Sequence, residues 1–131
     1  MIKKEIRSFG KLQDGREASL YTLSSENITV RISDYGATVV AIMLKSPCSG
    51  EYKDVVLGFD SIGKYERDSS CFGSVCGRFA NRIKNGHFKL DANEYSLSIN
   101  NSGNHLHGGF EGFIKNSGKQ NSGMTACLLY M

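Results

Sequence analysis

Between residues 28 and 33 apolar and polar side chains alternate strictly, Ile28, Val30 and Ile32 against Thr29, Arg31 and Ser33. A period of two is that of a strand with one buried face, and Asp34-Tyr35-Gly36 reads as the turn that follows. Val39 to Leu44 is apolar and largely β-branched without alternation, which predicts a strand buried on both faces. Ser46-Pro47-Cys48-Ser49-Gly50 ends it, because proline removes a ladder donor and its neighbours form turns. Asp54-Val55-Val56-Leu57-Gly58-Phe59 predicts the next strand. A hairpin follows, with Phe88 and Leu90 on one face, a turn through Asp91-Ala92-Asn93, and a return strand carrying Tyr95, Leu97 and Ile99 on a single face. No segment before residue 115 sustains a 3.6-residue apolar period, so the expected helix content is a short turn near Ser61 to Tyr65. Short strands separated by turn signals predict an all-β sandwich or barrel. Residues 116–131 break the pattern: Asn116 to Gly123 is polar and linker-like, and Met124 to Met131 is a short apolar end. The expected organisation is one domain over 1–115 followed by a divergent tail over 116–131.

Composition narrows the class without changing the fold. A chain of 131 residues is one domain long and can bury roughly two-thirds of its unfolded surface, so it needs no staples. The 15 glycines, about 11% against an average near 7%, match a fold with many tight turns. The net charge of +3 is scattered, with Lys3-Lys4 the longest basic run, so there is no stripe to neutralise a row of phosphates and nucleic acid is not an expected partner. No window approaches the ~18 apolar residues of a membrane span, and Met1 to Gly10 lacks the apolar core of an export signal. Cys48, Cys71, Cys76 and Cys127 have no CxxC spacing and read as reduced thiols of a soluble, cytoplasmic protein, with no metal site.

Two clusters could carry chemistry. Gly77-Arg78-Phe79-Ala80-Asn81-Arg82-Ile83 places two arginines and an asparagine within five residues, able to converge on a ligand rich in hydroxyls or carboxylates. Composition alone is also satisfied if these arginines are surface charges and Asn81 forms a turn. The phosphate-loop ending GK[ST] is absent. In Asn104-His105-Leu106-His107-Gly108-Gly109 the histidines can exchange protons near neutral pH, and the glycines would let backbone approach a small ligand. Two histidines are too few for a metal, and an HxH pair is also compatible with a structural role. Asp54, Asp60, Glu66 and Glu111 lie near the clusters, yet no spacing assigns an acid and base pair.

Taken together, Asp54 to Phe59, Phe72-Gly-Ser-Val-Cys-Gly-Arg-Phe-Ala-Asn-Arg-Ile83, Gly86-His-Phe-Lys-Leu90, Tyr95-Ser-Leu97, and Asn104-His-Leu-His-Gly-Gly109 with Gly112-Phe113 resemble the aldose 1-epimerase, or galactose mutarotase, family over about residues 5 to 115. The resemblance implies the N-terminal part of a galactose-mutarotase-like β-supersandwich that acts without a cofactor. Its implied reaction interconverts the α and β anomers of aldohexoses such as glucose and galactose. A base takes the anomeric hydroxyl proton while an acid protonates the ring oxygen, so the ring bond breaks, the aldehyde rotates and the ring closes from the other face. Carried over by motif, Asn81, Arg82 and His107 contact the sugar. The family's base, a Glu near its C-terminus, and its acid, a His later than the LHGG segment, have no matching position here, so no catalytic residue is expected in this sequence. The expectation is an N-terminal piece of a mutarotase, as a truncated or alternatively spliced product would be. A sugar-binding or regulatory remnant without catalysis, or a product with no stable function, remain as alternatives.

Overall fold

The computed structural model describes residues 1–67 and 69–115. Five strands form an antiparallel sheet in chain order: β1 (Lys3–Lys11), β2 (Glu17–Ser24), β3 (Ile28–Ser33), β4 (Val39–Lys45) and β5 (Tyr52–Asp54). A short helix α1 (Ile62–Arg67) follows. Two small ladders follow, with short 3-10 turns at Lys84–Gly86, Gly109–Glu111 and Phe113–Lys115: β6 (Arg82–Ile83) pairs with β9 (His105–Leu106), and β7 (His87–Leu90) pairs with β8 (Asn93–Ser96). The all-β expectation holds, and the short helical turn falls where the sequence placed it. Among the described residues no helix is long and apolar enough to cross a membrane, and Cys48 and Cys76 are free thiols. Cys127 and the rest of the 116–131 tail lie outside the described residues.

One face of the large sheet is packed and the other is open. Ala18 and Leu20 project from β2 into a cluster with Leu12, Tyr35, Val40, Ile62 and Tyr65, and Phe9 and Phe59 pack against it. Helix α1 closes this face, and a glycine permits its approach. Gly10 has φ +117, and a Cβ there would stand 3.1 Å from Ile62 Cγ2. Directly paired residues share a face, so Ile6, Tyr21 and Ile32 line up on the opposite side with Leu23, Val30, Ile42, Ile28 and Leu44. None of these eight is buried, and Ile6, Ile28 and Leu44 are 55%, 39% and 41% exposed. The alternation of β3 therefore forms its strand with the expected period, but the apolar set faces the open side while Ser33 is 1% exposed on the packed side.

Three further expectations are corrected in detail. The strand expected over Val39 to Leu44 is buried at Val40 and Ala41 and exposed at Leu44: the register shifts opposite Arg31 and Ile32, near the buried start, while Leu44 pairs with exposed Ile28 on the open face. The strand expected over Asp54 to Phe59 stops at Asp54. There the carboxylate Oδ1 accepts the backbone N–H groups of Ile42 (3.1 Å) and Val56 (3.2 Å), replacing ladder bonds. Gly58 then passes so close to Val40 O and Tyr65 Oη that a Cβ would come within 2.6 Å of both, and Phe59 N–H donates to Tyr65 Oη at 2.9 Å. In the hairpin Phe88 does pair with Tyr95, the rings stacked at 4.9 Å, but the turn is the two residues Asp91-Ala92, and Leu97 and Ile99 fall beyond β8.

Candidate functional site

The two sequence clusters meet through the β6/β9 ladder, in which Arg82 opposes Leu106 and Ile83 opposes His105. Asn81 enters the ladder at φ +69 and His107 leaves it at φ +53, conformations that asparagine and histidine tolerate better than most side chains. The two are joined twice. Asn81 N–H donates to His107 Nδ1 at 2.9 Å, and His107 N–H donates to Asn81 O at 3.2 Å. A backbone amide can only donate, so Nδ1 presents a lone pair and the neutral ring carries its proton on Nε2, as a donor. Arg82 Nε donates to Asn101 Oδ1 at 3.0 Å, and Arg82 takes part in none of the ion pairs among the described residues.

The two histidines of the HxH pair have separate roles. His105 is 5% exposed, and its Nδ1 lies 2.9 Å from Ser98 O. A carbonyl only accepts, so this nitrogen carries a proton and fixes the ring. Gly109 lies directly against that ring, with a Cβ there meeting His105 Cε1 at 2.8 Å. His107 is half-buried, and the hydrogen bonds of the described residues engage its Nδ1 and not its Nε2.

An open cleft of ≈ 800 Å³ lies beside the ladder. Ile83, Phe88, Leu97 and Phe113 supply apolar wall, while Arg78, Arg82, His105 and Glu111 supply polar groups. The Arg78 guanidinium stands 5.5 Å from the centroid of the Phe113 ring, a cation–π distance. Apolar wall with a few placed donors suits a polyol that has a C–H face and hydroxyl edges. Arg82 lines the cleft itself. Asn81 and His107 do not line it, and are tied to its wall through their neighbours Arg82 and Gly108. A smaller hollow of ≈ 320 Å³ on the large sheet, lined by Arg7, Arg31, Asp54 and Asp60 among others, includes none of the three candidate residues.

The carboxylates singled out from the sequence separate by position. Asp54 caps backbone amides. Asp60 pairs with Lys64 at 2.8 Å, and that hydrogen bond, with the ammonium charge, holds its carboxyl below the usual range. Glu66 accepts Gln13 N–H. Glu111 lines the cleft. Asn100 and Asn101, which brace the ladder, were not legible as site residues, their only sequence signal being a turn-forming composition around Ser102-Gly103; Asn104 stood in the second cluster without a role of its own.

A family model described as Aldose 1-epimerase matches residues 19–127. The galactose mutarotase of Bos taurus is 46% identical over 116 residues, covering 88% of this chain and 34% of the relative. That of Homo sapiens is 43% identical over 108 residues, covering 82% and 31%. Among solved structures, a galactose 1-epimerase from Lactobacillus acidophilus NCFM superposes with a TM-score of 0.73 at 25% identity, over 89% of this chain and 33% of that one. An aldose epimerase homologue from C. elegans gives a TM-score of 0.66 at 28% identity, over 88% and 31%. The chain thus spans about a third of the length of the curated relatives it matches.

Proposed function

The chain belongs to the aldose 1-epimerase family, and from that premise we propose that residues 1–115 form the N-terminal part of an aldose 1-epimerase domain in which Asn81, Arg82 and His107 hold an aldohexose such as galactose or glucose. The observation that carries this reading is the pair of hydrogen bonds between Asn81 and His107 beside an arginine that lines the cleft. The Asn81 amide directs the His107 proton to Nε2, where it can donate to a sugar oxygen. Arg82 adds charged donors at the wall. The acid and base of anomer interconversion belong to later segments of the family, so residues 1–115 bind the hexose and accelerate its interconversion little or not at all, as part of a cytoplasmic protein that needs neither nucleic acid nor membrane.

Titration of galactose into the wild type, Arg82→Ala and His107→Ala tests the site. Each substitution should weaken binding about ten- to a hundredfold, from roughly 1.5–3 kcal/mol for a charge-assisted bond at Arg82 and the lower end of that range for neutral His107. Equal binding by all three proteins would refute the assignment. Polarimetry of fresh α-glucose tests the division of labour. A rate rising linearly with protein to about 1–10³ per second would show that a complete acid and base pair is present, against the proposal of binding with little or no catalysis.

A further inference from the structure

The segment from Asn100 to Asn104 is a closed turn. Asn101 N–H donates to Asn104 O at 3.0 Å and Asn104 N–H returns to Asn101 O at 2.8 Å, across Ser102 at φ +44 and Gly103 at φ +80. Positive φ at both central residues is the pattern of a tight type I′ turn. Its side chains tie it to the rest of the site. Asn100 clips Leu106 from both sides, Nδ2 donating to Leu106 O at 2.9 Å and Oδ1 accepting Leu106 N–H at 2.7 Å. Asn104 Oδ1 accepts Asn85 N–H at 3.1 Å. The turn is thereby anchored on β9, next to His107, and on the segment that follows β6, next to Arg82.

On this anchored turn Asn101 Oδ1 accepts the Arg82 Nε hydrogen at 3.0 Å. We propose that Asn101 is a positioning residue, fixing the guanidinium plane of Arg82 so that its terminal nitrogens are held ready for the hexose; the proposal rests on the sugar-binding reading above. An arginine side chain loses considerable rotamer freedom when it is ordered, and ordering it in the free protein removes that loss from the binding step. Bonding through Nε leaves both terminal NH2 groups for a ligand. The acceptor is a neutral amide, and no carboxylate among the described residues pairs with Arg82, so the tether orients the cation without neutralising it.

The test combines a ligand-free readout with a binding cycle. In 15N NMR of the full chain the Arg82 Nε–H should exchange slowly in the wild type and in Asn101→Asp, which keeps an acceptor in place, and quickly in Asn101→Ala. The Asn104 and Leu106 amides should stay protected in all three. Galactose affinity should fall about three- to tenfold in Asn101→Ala and should not fall further when that change is added to Arg82→Ala. An Arg82 Nε–H equally protected in Asn101→Ala, loss of the Asn104 and Leu106 protection, or the same fall in affinity in the Arg82→Ala background would each overturn the proposal. If no variant nor the wild type binds galactose while the exchange pattern is as expected, the hexose reading fails and the positioning of Arg82 by Asn101 stands.

Discussion

Gly108→Ala should destabilise the protein more than a glycine replacement of equal backbone strain elsewhere, and the difference measures how tightly the site segment is threaded. Gly108 has φ +90 and ψ 5, a left-handed conformation that costs an L-residue about 1–2 kcal/mol. An added Cβ would fall on the Gly77 carbonyl oxygen, 2.8 Å from the carbon of that group and 2.9 Å from Gly112 Cα. These obstacles are all backbone, so no side chain can swing aside. The same Gly77 oxygen accepts Phe113 N–H at 3.2 Å, and relief of the clash would pull on that bond. Overpacking of this kind adds about 1–3 kcal/mol, for a total of about 2–5 kcal/mol against a typical domain stability of about 5–15 kcal/mol. Gly103 supplies the control, with φ +80 and no atom within 4 Å of its added Cβ, so Gly103→Ala carries the strain alone, about 1–2 kcal/mol. Urea denaturation of both variants at low protein concentration, followed by circular dichroism, reads the difference. Midpoints implying stabilities within about 0.5 kcal/mol of each other would refute the reasoning, since that is the ordinary scatter of independent surface changes. Because Gly108 follows His107 directly, Gly108→Ala should also weaken galactose binding, whereas Gly103→Ala should alter it less.

Two further outcomes follow from the sheet and its core. Burial, and then the negative charge of Glu66, push the Tyr35 phenol above its ordinary value, with Arg16 opposing and Asp14 adding. A folded-state pKa above the unfolded one, about 10, contributes stability that is complete below the unfolded value and is lost as pH rises through the folded one. Wild type should therefore lose stability over that alkaline range more steeply than Tyr35→Phe, and parallel denaturation curves would contradict it. The open apolar face should drive association, so Ile6→Lys and Leu44→Lys should lower the weight-average mass seen in sedimentation equilibrium; an unchanged mass in both would show that the face is not the contact.

Much of the local structure was legible because it depends on nearest neighbours. Alternation formed β3, apolar β-branched residues formed β4, and Phe88 and Tyr95 met across their hairpin as the period of two required. The strands β1 and β2 gave weaker signals, since β1 carries charges along its length and is exposed at seven of its nine positions, and their pairing depends on the ladder rather than on composition. The false extension of β5 beyond Asp54 had a local pattern that tertiary contacts defeated, through an aspartate that took over ladder bonds and a glycine drawn under Tyr65.

By itself, then, the sequence determined the strand periods, the all-β class and the motifs that place the chain in its family. Only the tertiary structure decided which face of β3 is packed, because period two marks two faces and does not say which one a helix will cover. It alone separated buried His105 from His107, since the two sit two positions apart on the same short segment but meet different partners, Ser98 O and the Asn81 amide. The Asn81–His107 bond closes a gap of 26 positions, and the Arg82–Asn101 bond one of 19. Hydrogen bonds between residues so far apart leave no periodic trace along the chain, because they are made by the register of a two-residue ladder and the shape of one tight turn.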